Sequence, residues 1–290
     1  MRDLRTTVSR WLSLGLTLAF VPLAAASCAA TPEDLDSEED GPEPNGAVEN
    51  GVTFETVAKA VSGSCTTASV KGLSQQIIAQ GQCLEPDAYV EVPKLANITF
   101  GENIFPFLEK PAKEALVKAL NANPGKSMSV NSMLRTIAQQ YLLYRWYQTG
   151  SCGIGLAAKP GNSNHETGLA MDINEYSTWK TALANVGFEW LGSSDKVHFD
   201  YRGSGAINFK GTDVQAFQHL WNLNHPEDKI SEDGAWGPQT EARMKKSPAN
   251  GFAIGPDCAV EEPDPDPQPD PDPRPAAATR RAPSSAPPTA

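Results

Sequence analysis

Apolar positions along the middle of the chain recur with two periods, and the switches between them mark the elements. After Pro111, residues Ala112, Ala115, Leu116, Ala119 and Leu120 fall on one helical face, and Asn123-Pro124-Gly125 closes the run, so an amphipathic helix is expected there. From Ser127 to Met133, Met128 and Val130 alternate with polar neighbours, which is the pattern of a short strand. The chain then enters Arg135 and a second helix through Trp146. A third helix is expected from Trp179, Ala182, Leu183 and Val186, with Gly187 in the position of its C-terminal cap. Strands are expected before and after that helix, at 169–173 and 197–201. Further on, Val214, Phe217, Leu220 and Trp221 make a helical stripe, Asp233-Gly234 a turn, and Pro238 opens another short helix through Met244. Strands and helices mix without a regular βαβ alternation, so the expected class is α+β.

The flanks lack such periods. Residues 1–27 place Arg2, Arg5 and Arg10 before an apolar stretch from Trp11 to Ala26, broken by Pro22, which is the layout of an export signal rather than a retained span. Residues 28–50 are acidic, with Pro and Gly, and read as a solvated tether; 259–290 repeat Pro and Asp and read as an extended tail. Between them, a larger unit over 51–205 and a smaller helical unit over 206–258 are expected. The formal charge of −11 sits mostly in the flanks, since 33–49 hold eight acids and no base and 259–273 six acids and no base. Across 51–258 there are 20 acids against 18 bases, which gives no electrostatic reason to expect nucleic acid as a partner.

Ala25-Ala26-Ser27-Cys28 resembles the lipobox of bacterial lipoproteins, which implies acylation of Cys28 and a membrane-anchored protein facing the periplasm or cell wall; ordinary cleavage near Ala24-Ala25-Ala26 is the alternative. The four remaining cysteines, Cys65, Cys83, Cys152 and Cys258, are an even number in an exported chain and favour two disulfides, expected as Cys65 with Cys83 and Cys152 with Cys258. A Cys-rich zinc site is disfavoured by the absence of CxxC spacing.

The chemistry concentrates in Ser163-Asn164-His165-Glu166-Thr167-Gly168-Leu169-Ala170-Met171-Asp172 and in Asp195-Lys196-Val197-His198. His165, Asp172 and His198 supply the two imidazoles and one carboxylate of a catalytic zinc site that keeps a position open for water. Asp195, three residues before His198, can stand beside the metal as a general base without being a ligand. On a strand, Asp172 and Ala170 share a face, and His198 turns away from Val197 and Phe199. Gly168 marks a backbone position that turns or is closely approached. His219 and His225 read as structural, and Trp179, Phe188, Trp190 and Phe199 as core.

Ser163, His165, Gly168, Ala170 and Asp172 follow the pattern Ser-x-His-x-x-Gly-x-Ala-x-Asp, which resembles the zinc D-alanyl-D-alanine peptidases of VanY type, relatives of the hedgehog signalling domain and of phage endopeptidases. The resemblance covers roughly 60–205. It implies an antiparallel sheet flanked by helices, His165, Asp172 and His198 as ligands of Zn2+, and Asp195 as general base. It also places Arg135, within Asn131-Ser132-Met133-Leu134-Arg135, at the family's substrate-binding and oxyanion-stabilising position, with Ser163 as a further substrate contact. Residues 211–250 are similar to a small peptidoglycan-binding module, through Val214-Gln215-Ala216-Phe217-Gln218 and Asp233-Gly234-Ala235-Trp236-Gly237-Pro238. The implied activity is D-alanyl-D-alanine carboxypeptidase action on peptidoglycan stem peptides. The alternatives are a stem-peptide endopeptidase, or a non-catalytic zinc-containing wall-binding lipoprotein.

Overall fold

The computed structural model describes residues 54–258. Cys28, the export signal, the tether before residue 51 and the tail after Cys258 lie outside the described residues. Helix α1 (Val57–Gly63) and a 3-10 turn (Thr67–Val70) lead into α2 (Lys71–Leu84). Two short strands, β1 (Val90–Glu91) and β2 (Ile98–Phe100), precede β3 (Phe107–Leu108) and α3 (Lys110–Ala122). Strand β4 (Met128–Ser132), α4 (Ile137–Thr149), β5 (Ala170–Ile173), α5 (Tyr176–Ala184), β6 (Phe188–Trp190) and β7 (His198–Tyr201) complete the central part. Helices α6 (Thr212–Asn224) and α7 (Pro238–Lys246) follow. Among the described residues no helix is long and apolar enough to cross a membrane.

The α+β class expected from the periodicity is the one observed. The five-stranded sheet runs β2-β4-β5-β7-β6. All its pairs are antiparallel except β2 with β4, which is parallel because α3 lies between those strands and returns the chain to the same end. Beside it, β1 and β3 form a two-residue antiparallel ladder. Helix α5 stops at Ala184, short of the expected Val186, and Gly187 lies beyond its cap Asn185 at φ 101°.

Alternation along the strands divides the sheet into two faces. Met171 and Ile173 of β5 and Phe199 and Tyr201 of β7 face a core shared with Leu116 and Leu120 of α3 and Trp179 and Leu183 of α5. The intervening residues, Asp172, His198 and Asp200, face the other way, and all three are buried. Beyond them lies a second core, built mainly from helices. It joins Val57 of α1, Leu73 and Ile77 of α2, Trp146 of α4, Val214, Phe217 and Trp221 of α6, and Met244 of α7. Residues 206–258 are thus not packed as a separate body. Gln76 of α2 accepts from Phe252 N and donates to Phe252 O, and a Cβ on Gly72 would collide with the backbone of Asn250.

The disulfides correct the expected pairing. Cys65 is bonded to Cys152, and Cys83 to Cys258. Cys83 lies in the last turn of α2 while Cys65 precedes its first, and the helix rises about 18 Å from Lys71 to Cys83, well beyond the reach of a disulfide. The two bonds instead close spans of 87 and 175 residues, tying α4's end to the N-terminal helices and the end of the folded region to α2.

Candidate metal centre

His165, Asp172 and His198 come together as the sequence pattern requires, with one ligand atom from each lying within 4.8 Å of the others. Asp172 and His198 are directly opposite in the β5–β7 ladder, which fixes two of the three on rigid neighbouring strands. His165 arrives from the loop before β5. A register shift in β4 between Val130 and Ser132 brings Ser132 opposite Asp172 and bends the strand at the edge of the centre.

The loop carrying His165 is held from several sides. Glu166 accepts hydrogen bonds from Gly161 N at 2.9 Å and Ser163 N at 2.9 Å, and Tyr89 Oη donates to Glu166 O at 3.1 Å. His165 O accepts from Arg135 N at 3.2 Å. Gly168 ends the loop at φ 74°, and a Cβ there would stand 2.7 Å from Glu109 N and 2.9 Å from Ala88 O. Only glycine suits both the left-handed backbone and that close approach.

The hydrogen bonds on the outer nitrogens decide where the imidazole lone pairs point. His165 Nδ1 is 2.8 Å from Met133 O, a carbonyl that can only accept, so Nδ1 carries the proton and Nε2 is left with its lone pair. His198 faces a carboxylate oxygen at each nitrogen, Asp200 Oδ1 2.9 Å from Nε2 and Asp172 Oδ1 3.0 Å from Nδ1; with a metal in the centre, Nε2 keeps its proton for Asp200 and Nδ1 is the nitrogen that can ligate. The two inward nitrogens, His165 Nε2 and His198 Nδ1, lie 3.3 Å apart, with Asp172 Oδ1 3.0 Å from the latter and Oδ2 3.5 Å from the former. Two imidazole nitrogens and a carboxylate converging in this way are a site for a cation, whether a proton or a metal. The donor set, two nitrogens and a carboxylate oxygen, suits zinc and other divalent first-row metals.

The protonation behaviour of the unliganded groups carries the same message. Burial opposes charge on His198, but its bonds to Asp172 and Asp200 outweigh that and raise its pKa to about 10. Asp172 is also buried, which acts to raise it, yet the two imidazoles hold its carboxyl far below the usual range. The site therefore attracts positive charge strongly, as a proton or as a metal.

Asp195 is buried beside this group. Burial raises its carboxyl above the ordinary value, and the negative charge of Asp172 adds to the effect. Arg135 is 1% exposed, and its guanidinium donates from Nη1 to Gln140 Oε1 at 3.1 Å and from Nη2 to Ser132 Oγ at 3.2 Å. Nη2 lies 4.0 Å from Asp172 Oδ2, so the cation borders the metal centre. A small polar hollow adjoins it, lined by Thr67, Asn103, Asn131, Ser132 and Gln139. Ser163 is buried, and its Oγ accepts from His165 N at 3.3 Å, so the hydroxyl helps shape the loop.

The other histidines stand apart. His219 pairs with Glu232 at 2.9 Å, and His225 stacks on Trp221 with ring centroids 3.9 Å apart. Three residues of the centre escaped the sequence reading: Glu166, which gathers the loop amides, Gln140, which holds Arg135, and Asp200, which holds His198. Asp200 carried a signal, because it stands two residues past His198 on a strand and so on the same face. Gln140 carried none, since Arg135 precedes the helix to which Gln140 belongs.

No curated protein matches the chain. Residues 106–204, which contain Arg135, His165, Asp172, Asp195, His198 and Asp200, match the model of the VanY family, D-alanyl-D-alanine carboxypeptidase.

Proposed function

We propose that the chain is a zinc-dependent peptidase of peptidoglycan stem peptides, acting as a D-alanyl-D-alanine carboxypeptidase. The observation that carries the reading is the convergence of His165 Nε2, His198 Nδ1 and Asp172 beside a buried Asp195 and a buried Arg135. The VanY match supports the substrate class. When bound, zinc would supply Lewis-acid polarisation of the scissile carbonyl and make water a competent nucleophile near neutral pH.

The residues of the chain do the rest. Asp195, with its carboxyl shifted upward, is suited to take a proton from the attacking water and return it to the departing amine. Arg135 is permanently charged and fixed by Gln140 and Ser132, so it can hold a substrate carboxylate or steady a developing oxyanion without reorganising. His165 and His198 are pinned by their outer hydrogen bonds. Two disulfides support action outside the cytoplasm, in keeping with an exported protein anchored through Cys28.

The test is digestion of purified muropeptides by the zinc-loaded chain, read by mass spectrometry. Metal-dependent loss of one terminal alanine is expected, and none with His165→Ala. An internal cut would replace the carboxypeptidase with an endopeptidase, and zinc bound at one equivalent with no cleavage would sink the peptidase reading. Asp195→Asn should retain zinc while turnover falls by about 100-fold or more.

A further inference from the structure

Asp200 is 5% exposed and turns its carboxylate toward the centre from the same face of β7 as His198. Three donors meet it. His198 Nε2 is 2.9 Å from Oδ1, Asn164 Nδ2 donates to the same oxygen at 3.1 Å, and Arg202 Nη2 donates to Oδ2 at 3.1 Å. Asn164 belongs to the loop that delivers His165, whereas His198 belongs to the strand. Arg202 is itself anchored on the neighbouring strand β6, with Nε 3.0 Å from Glu189 Oε2.

We propose that Asp200 is the positioning residue of the metal centre: it selects the tautomer and ring plane of His198 and fastens the His165 loop to β7 through Asn164. The inference rests on the reading of His165, Asp172 and His198 as metal ligands. A neutral imidazole has one N–H, and the nitrogen that keeps it cannot ligate. Without an acceptor at Nε2 the proton is free to move to Nδ1, where Asp172 Oδ1 would receive it at 3.0 Å and close the centre as a hydrogen-bonded pair. Asp200 places an acceptor at Nε2 and so directs the Nδ1 lone pair inward. It also sets the distance between two ligands that come from different parts of the chain. Charge matters beyond shape, because an amide offers one oxygen where three donors converge, and its NH2 group must face one of them.

The experiment measures zinc affinity of the full chain by competition with a chromogenic chelator, for the parent, Asp200→Asn, Asp200→Ala and Arg202→Ala. Metal-free thermal melts and the visible spectrum of the cobalt(II)-loaded protein accompany it. Both Asp200 variants are expected to weaken zinc by about 10- to 100-fold, the usual effect of removing a partner of a metal-bound imidazole. Asp200→Asn, nearly equal in volume, should do so with its metal-free melting temperature preserved and its cobalt bands shifted. Arg202→Ala, which leaves the His198 bond in place, should cost less than either. Parent-like affinity and spectrum in Asp200→Asn and Asp200→Ala would overturn the proposal, as would a loss in Arg202→Ala equal to that in Asp200→Ala. A parent chain that binds no divalent metal would instead remove the reading of the centre itself.

Discussion

Glu109 places a carboxyl where no water reaches it. The residue is fully buried, Oε1 accepts from Ile207 N at 2.6 Å, and Oε2 has no hydrogen-bond partner among the described residues. Burial lifts its pKa from 4.5 to about 7, against the smaller opposing effect of the Ile207 amide. Between these values the unfolded chain has released the proton that the native state retains. The native state then binds more protons, so the contribution of Glu109 to stability is full below pH 4.5 and is lost as pH rises through 7. The loss amounts to something on the order of 3 kcal/mol. Thermal melts from pH 4 to 8 should show this fall in the parent and a shallower one in Glu109→Gln. Some slope should remain, since burial also raises Asp213 to about 7. Identical slopes in the two proteins would rule out Glu109 as a source.

Among the elements, the strongest dependence is between the first helices and the last. α6 contributes Val214, Phe217, Leu220 and Trp221 to the core that holds Leu73, Ile77 and Trp146. At about 1.5–3 kcal/mol for each large apolar side chain, those four approach the whole stability of an ordinary domain. A chain ending at residue 205 should therefore lack a cooperative thermal transition, and residues 206–258 alone should remain unfolded by circular dichroism. A truncated chain melting near the parent temperature would contradict the shared core. The larger elements were readable because they run long enough for a period: α3 carries five buried residues on one face, and β4 alternates buried and half-buried positions. The three-residue β6 and the two-residue β1 and β3 are too short to repeat anything, and pairing alone makes them strands. α1 and α2 escaped, and their apolar faces are completed by α4, α6 and α7, all much later in the chain.

Across the whole molecule, the two disulfides join the ends of long spans. Closing 87 and 175 residues removes more unfolded-state freedom than local pairs would, by about 0.6 kcal/mol for each doubling of the span. On a chain-entropy account, losing the Cys83–Cys258 bond costs about 2–5 kcal/mol. Denaturant titration of the double variant Cys83→Ser and Cys258→Ser should show that drop, and an unchanged midpoint would mean that α2–α6 packing alone sets the closure.

Residue type and spacing were enough to single out His165, Asp172 and His198, which the structure brings together as a group that could hold a metal ion, and Asp195 buried beside them, because strand alternation and ligand spacing act over a few neighbouring positions. Local pattern also determined the α+β class and the site of the Gly168 turn. What lies between distant segments was left to the tertiary structure. It decided which cysteines pair, that α6 and α7 complete a core begun by α1 and α2, and that Met133 O and Asp200 set the direction of the two imidazole lone pairs. Those are contacts across space, and a linear pattern records the residues that make them but not the closure of the chain that brings them within reach.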